Sequence, residues 1–231
     1  MNIQEMHYDF KMKLNKVDSQ QYKNLRIPEI DWVLNEAAEL FVKMVAEPRT
    51  RTYLGFEKSQ RNTDDIRTLV VKDTILNTNG SFILPNNYMY YVKGKVTISK
   101  SNCTKLGTLK IRQHDDEYQI SPFDNSSFEW SEVNGVFNNG GIEIERGLDF
   151  NVDRLTLTYI KKQNTMFYAE GFPGGKYSNL KGDVLVGTQD CELPEQAHRE
   201  VIDIAVLLIT GQLQMPDYQV KLAKLNLNNL K

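Results

Sequence analysis

Two stretches at opposite ends of the chain set the terms for any fold. Residues 28–46, "PEIDWVLNEAAELFVKMVA", carry Ile30, Val33, Leu34, Ala37, Leu40, Phe41, Met44 and Val45 at helical spacing. Residues 194–213 carry two adjoining stripes, one of Ala197, Val201, Ile204, Ala205 and Leu208, the other of Ile202, Val206, Ile209 and Leu213. Apolar cover over so much of a helix's circumference demands burial. The two helices are therefore expected to pack together, although most of the chain lies between them. Pro28 and Pro194 suit first-turn positions, where a missing N–H costs nothing. Glu29 and Asp31 complement the dipole of the first helix, and Pro48 and Pro216 mark the ends.

The extreme N-terminus is a third helical candidate. Ile3, Met6, Phe10, Leu14 and Val17 recur at intervals of three and four over residues 1–25. Met6, Tyr8, Phe10, Met12 and Leu14 also alternate as a strand would. The helical pattern runs further and has lysines between its apolar positions, so a helix is expected.

Residues 66–161 change period. "IRTLVVKDTIL", "YMYYVKGKVTIS", "LGTLKIRQ", "GIEIERG" and "RLTLTYIKK" are β-branched or aromatic runs separated by Asn, Gly, Asp and Pro. The expectation is an α+β chain with its terminal helices packed together and a central, mostly antiparallel β-rich domain. Its divisions are residues 1–60 helical, 61–190 β-rich with long loops, and 191–231 a helix and tail packing on the N-terminal helices. "PFDNSSFEWSEVNGVFNNGG", residues 122–141, reads as one such loop, of the kind that carries function or meets a partner.

Composition narrows the function classes. With 28 basic and 30 acidic residues, the net charge of −2 gives no argument for general nucleic-acid binding. No run approaches the length of a membrane span, and "MNIQEMHYDF" lacks the apolar segment of a signal peptide, so synthesis in the cytoplasm is expected. Cys103 and Cys191 form no disulfide framework and are expected to be free.

The most site-like stretch is "CELPEQAHREVIDIAVLLI", residues 191–209. Glu195 and His198 have the Glu-x-x-His spacing of a carboxylate-bridged metal helix. A di-metal site needs that motif twice, yet Gln4 precedes His7 and Ile111 precedes His114 at the same interval. Pairing Cys191 with His198 as a nucleophile leaves no third orienting group. "HDDE", residues 114–117, lacks calcium-loop spacing and reads as a solvated turn. "EGFPGGKY", residues 170–177, fails the phosphate-loop pattern because Tyr177 follows Lys176; it reads as a flexible or interface loop. Tyr88, Tyr90 and Tyr91 could stack bases, but few basic residues adjoin them, and packing is the better reading. No catalytic, cofactor-binding or metal residue is assigned.

Five segments, taken in order, point elsewhere. "MHYDFKMKLNKVDS", "PEIDWVLNEAAELFVK", "DDEYQISPFDNSSFEWSEV", "RLTLTYIKKQNTM" and "CELPEQAHREVIDIAVLLI" resemble virion structural proteins of crAss-like and related short-tailed bacteriophages. They are similar to the tail tubular protein A, or head–tail connector ring, family. That resemblance implies a homo-oligomeric, dodecameric ring in the virion, assembled after synthesis in the host cytoplasm. The ring would join the portal protein to the next tail component. DNA would pass through its channel without specific binding, with no cofactor, catalytic residue or membrane involved. A closed ring needs two unlike adhesive surfaces per subunit. The narrow stripes at the chain ends are the expected assembly interface: Met6, Phe10 and Leu14, and Tyr218, Leu222 and Leu225. The alternatives are another ring or tail component of the same virion, a small hydrolase using Cys191 or Cys103 with His198, and a carbohydrate-binding β-module.

Overall fold

A computed structural model describes residues 1–15, 25–46, 64–113, 125–145, 147–179 and 181–212, together with positions 219 and 222. The chain divides into a helical unit, Met1–Leu69 with Gln163–Lys231, and a β unit, Val70–Lys162.

Among the described residues the helical unit holds three long helices: α1 (Ile3–Asn15), α2 (Ile27–Ala46) and α3 (Glu195–Gln212). A reciprocal cap opens α1. The Asn2 side chain accepts the Glu5 N–H at 2.8 Å, and the Glu5 carboxylate accepts the Asn2 N–H at 3.0 Å. Helix α3 packs against both α1 and α2, as its double stripe requires. Ile3, Met6, Phe10 and Leu14 of α1 are buried, as are Leu34 and Phe41 of α2 and Val201 and Ala205 of α3.

That burial corrects the expected interface. Met6, Phe10 and Leu14 belong to the chain's own interior. A stripe too narrow to make a core alone suffices as the third side of one. Leu222 is 36% exposed; Tyr218 and Leu225 lie outside the described residues.

The domain boundaries also move. The β-rich division of 61–190 is too long at both ends, because the β unit stops at Lys162 and starts at Val70. Residues beyond it form a short pair, β8 (Phe167–Tyr168) with β11 (Thr188–Gln189), and a hairpin, β9 (Lys176–Ser178) with β10 (Val184–Val186). These segments look like strands locally, but α1 and α2 cover β8. Local pattern reports strand character and is silent about which neighbour completes the packing.

The described residues of the β unit form seven strands: β1 (Val70–Leu76), β2 (Ser81–Ile83), β3 (Tyr88–Lys100), β4 (Cys103–Arg112), β5 (Glu132–Asn138), β6 (Gly141–Ile144) and β7 (Asn151–Lys161). Their order in the sheet is β1-β7-β3-β4-β5-β6-β2, antiparallel except for the parallel β4–β5 pair. The outermost strands, β1 and β2, are consecutive in sequence. A two-residue turn joins them, with Asn79 at φ 53° and Gly80 at φ 85°. Thr78 and Ser81 exchange backbone hydrogen bonds of 2.8 and 3.1 Å across it. Such Asn-Gly turns have the twist that a tight hairpin needs. Because so short a link connects the two edges, the sheet has to curl until they meet, which shelters strands that would otherwise stand unpaired. Phe82, Val96, Ile98, Leu109, Leu155 and Leu157 fill the interior.

Part of the expected loop at 122–141 is β5. Asn134 and Gly135 make this strand look like a loop in sequence. Asn134 Nδ2 donates to the Glu145 carboxylate at 3.1 Å, and a Cβ at Gly135 would meet Ile142 at 3.0 Å. A polar residue and a glycine are thus what this strand requires.

Candidate functional site

The densest buried polar cluster lies in the helical unit and centres on Asp31. This carboxylate, in the second turn of α2, is 3% exposed. One oxygen accepts from His7 Nε2 of α1 at 2.7 Å. The other accepts from the Tyr177 hydroxyl at 2.6 Å and the Tyr168 N–H at 3.1 Å. One turn further along α2, Asn35 Nδ2 donates to the carbonyls of Asp31 at 2.7 Å and Met166 at 2.8 Å, and its Oδ1 accepts the Met166 N–H at 2.8 Å. Two side chains spaced i, i+4 on one helix thereby satisfy the backbone of the strand beside it.

Three donors on one buried carboxylate offset a desolvation cost that would otherwise be several kcal/mol. Burial, and then the hydrogen bond to Asp31, push the Tyr177 hydroxyl far above its ordinary pKa, so it remains a donor. Facing a carboxylate oxygen, His7 Nε2 serves as a donor. His7 Nδ1 is buried with no hydrogen-bond partner, and the ring sits edge-on to Tyr168 at 5.4 Å. In a catalytic histidine–carboxylate pair the second ring nitrogen reaches a nucleophile or substrate. Here every donor around Asp31 is committed to it, and the arrangement ties α1, α2 and the β8–β9 region together.

The stretch around His198 is equally committed. His198 Nε2 donates to the Leu193 carbonyl at 2.8 Å, and its buried Nδ1 has no hydrogen-bond partner. The Glu195 side chain is 80% exposed whereas His198 is buried, so the two do not converge. Among the described residues, no three His, Cys, Asp or Glu side chains are placed to hold a metal ion. Burial pushes the Cys191 thiol up to about 11, against weaker opposing hydrogen bonds from the Leu193 backbone and Gln163; the charges of Glu192 and Asp190 raise it further. A thiol so protonated is a poor nucleophile at neutral pH. Cys103 is exposed, and both cysteines are free.

The neighbouring acids act as caps. Asp190 Oδ1 accepts the Ile3 N–H at 2.7 Å at the start of α1. Glu192 accepts from the backbone and side-chain nitrogens of Asn164 at 3.1 and 2.8 Å.

The other sequence candidates divide similarly. Tyr88 and Tyr91 are half-buried, packed on Phe137 at 6.3 and 5.9 Å between ring centroids. "HDDE" lies outside the described residues. "EGFPGGKY" holds a 3-10 turn and the start of β9, and its last residue, Tyr177, is anchored on Asp31; this corrects the flexible-loop reading. The cluster is hard to see in sequence because an acid in the first turns of a helix, as Asp31 is, also fits dipole complementation. The available signal was its position: Leu34 and Ala38 follow it at three and seven residues, which puts it inside the apolar stripe. No family model matches this sequence, and a search of curated proteins finds no match.

Proposed function

We propose that this chain is a virion structural protein, a ring subunit of the head–tail connector that joins the portal to the tail and leaves a channel for DNA. Large apolar side chains exposed on both units carry the reading. Tyr8 and Met12, one turn apart on α1, and Trp32 on α2 face solvent in the helical unit; Leu106 and Trp130 do so in the β unit. Single exposed apolar residues are ordinary, but Trp130 is 81% exposed and Trp32 59%. A ring closed by head-to-tail contacts needs two unlike surfaces on each subunit, and these residues supply distinct ones. The assembly interface expected at the chain ends thus moves to outward positions of α1 and α2 and to the β unit. The ordered resemblance of the five segments supplies the place in the particle.

The reading is tested by sedimentation of the purified chain with and without portal. A monomer or small oligomer alone, and a ring-sized species with portal, is the expected result. A chain that never associates with portal would refute it.

A further inference from the structure

The outer face of the β unit concentrates charge in a way that the near-neutral total conceals. Four adjacent strands, β1, β7, β3 and β4, carry nine lysines and arginines against two acids. One of the two, Asp73, is engaged by the Tyr159 hydroxyl at 2.7 Å. Strand register arranges the rest. Directly paired residues share a face of the sheet. On β7, Leu155, Leu157 and Tyr159 are buried, so Arg154, Thr156 and Thr158 point outward. Thr158 lies between Lys72 of β1 and Lys93 of β3. Thr156 lies between Thr74 and Lys95, and Arg154 between Leu76 and Thr97. Lys95 pairs in turn with Thr108 of β4, and Lys110 stands two residues along that strand. The result is a patch of five bases with threonine hydroxyls between them, bordered by exposed Asp153 beside Arg154 and by Glu132 of β5 beside Thr108.

Lys110 is neutralised by Glu132 of β5 at 2.6 Å. Lys72, Lys93, Lys95 and Arg154 are exposed and have no acidic partner among the described residues. Four strands span roughly 14 Å at the ordinary interstrand spacing. An exposed array of that width, with hydroxyl donors and four cations free of acidic partners, is complementary to a run of phosphates.

We infer that this face is a contact surface for the phosphodiester backbone of double-stranded nucleic acid, engaged without reading sequence. The contacts are exposed lysines, so binding is weak and salt-sensitive, compatible with a polymer that slides across the surface. The inference stands apart from the connector proposal, because the purified chain tests it without portal.

The experiment measures binding of a short mixed-sequence DNA duplex to the full chain over a salt series. The expected dependence of log affinity on log salt has a slope of about −3.6 for four phosphates neutralised. Replacing Lys72, Lys93 and Lys95 by Ala flattens that slope by about 2.7. A control with Lys11, Lys176 and Lys181 replaced by Ala makes the same change of net charge in the helical unit, at equally exposed positions, and leaves the slope unchanged. Failure of the unmodified chain to bind duplex at low salt overturns the inference. So does an equal effect of the two triple variants. Tighter binding of polyglutamate than of duplex would assign the face to an acidic protein and also overturn it.

Discussion

The Tyr177 hydroxyl donates to the Asp31 carboxylate at 2.6 Å across 146 residues of chain. With His7 on the other oxygen, this pair joins an N-terminal helix, a second helix and a hairpin that follows the whole β unit in sequence. The helical unit is built from both flanks of the chain, and Asp31 is one buried point at which those flanks meet in hydrogen bonds.

Removing one donor should therefore cost more than a surface bond. Tyr177→Phe leaves a buried carboxylate short of a partner and is expected to destabilise the helical unit by about 1–3 kcal/mol. Asp31→Ala strands His7 and the Tyr168 N–H as well and should cost about 3–5 kcal/mol. The two tryptophans fall one in each unit, so a Trp130→Phe background leaves Trp32 as the reporter for urea unfolding. Unchanged midpoints would show that the cluster is dispensable.

Tyr159 predicts an alkaline limit for the β unit. Burial, and then the bond to Asp73, push its hydroxyl up to about 12. A native state that holds the proton more tightly than the unfolded chain is stabilised fully below the unfolded tyrosine value, about pH 10. That contribution drains away as pH rises from there toward the folded value. Tyr159→Phe loses the hydrogen bond and should show a shallower decline in stability over the same range. Thermal melts at stepped alkaline pH, followed by circular dichroism, check this; identical slopes for both proteins would contradict it.

Adjacent glycines give an internal control on the closure of the sheet. Gly141 has φ 150°, and a Cβ there would sit 1.9 Å from the Phe82 carbonyl oxygen in the neighbouring strand. Gly140 has nothing within 4 Å of the equivalent position. Gly141→Ala should destabilise by about 3 kcal/mol or more, whereas Gly140→Ala should stay within about 0.5 kcal/mol. Equal effects would mean that β6 and β2 do not approach so closely.

The cysteines should differ in reactivity. Exposed Cys103 is expected to react with a small disulfide reagent at the rate of an ordinary thiol, and Cys191 far more slowly, because burial holds it protonated. His198→Gln should leave the Cys191 rate nearly unchanged, since the imidazole is bonded to the Leu193 carbonyl. A Cys191 that reacts faster than Cys103, and slows in the His198 variant, would restore the hydrolase reading.

Much of the architecture was legible from periodicity. The stripes of α2 and α3 demanded partners and found each other, and the alternation in β7 placed Leu155, Leu157 and Tyr159 inward. What stayed hidden depends on neighbours distant in sequence. Whether Phe10 faces a partner or the chain's own core is decided by α2 and α3, which the N-terminal sequence does not contain. Asp31 on an apolar stripe becomes intelligible only beside Tyr177. Lys72, Lys93 and Lys95 are scattered singly along the chain and form a patch only through strand register.

The proposed place in the particle can be checked by electron cryo-microscopy of the virion. The expected density at the portal exit contains a closed ring of this chain, with exposed positions such as Tyr8, Trp32 or Trp130 at contacts between its subunits or with their neighbours. A connector whose rings are fully accounted for by other chains, with this one absent, would contradict it.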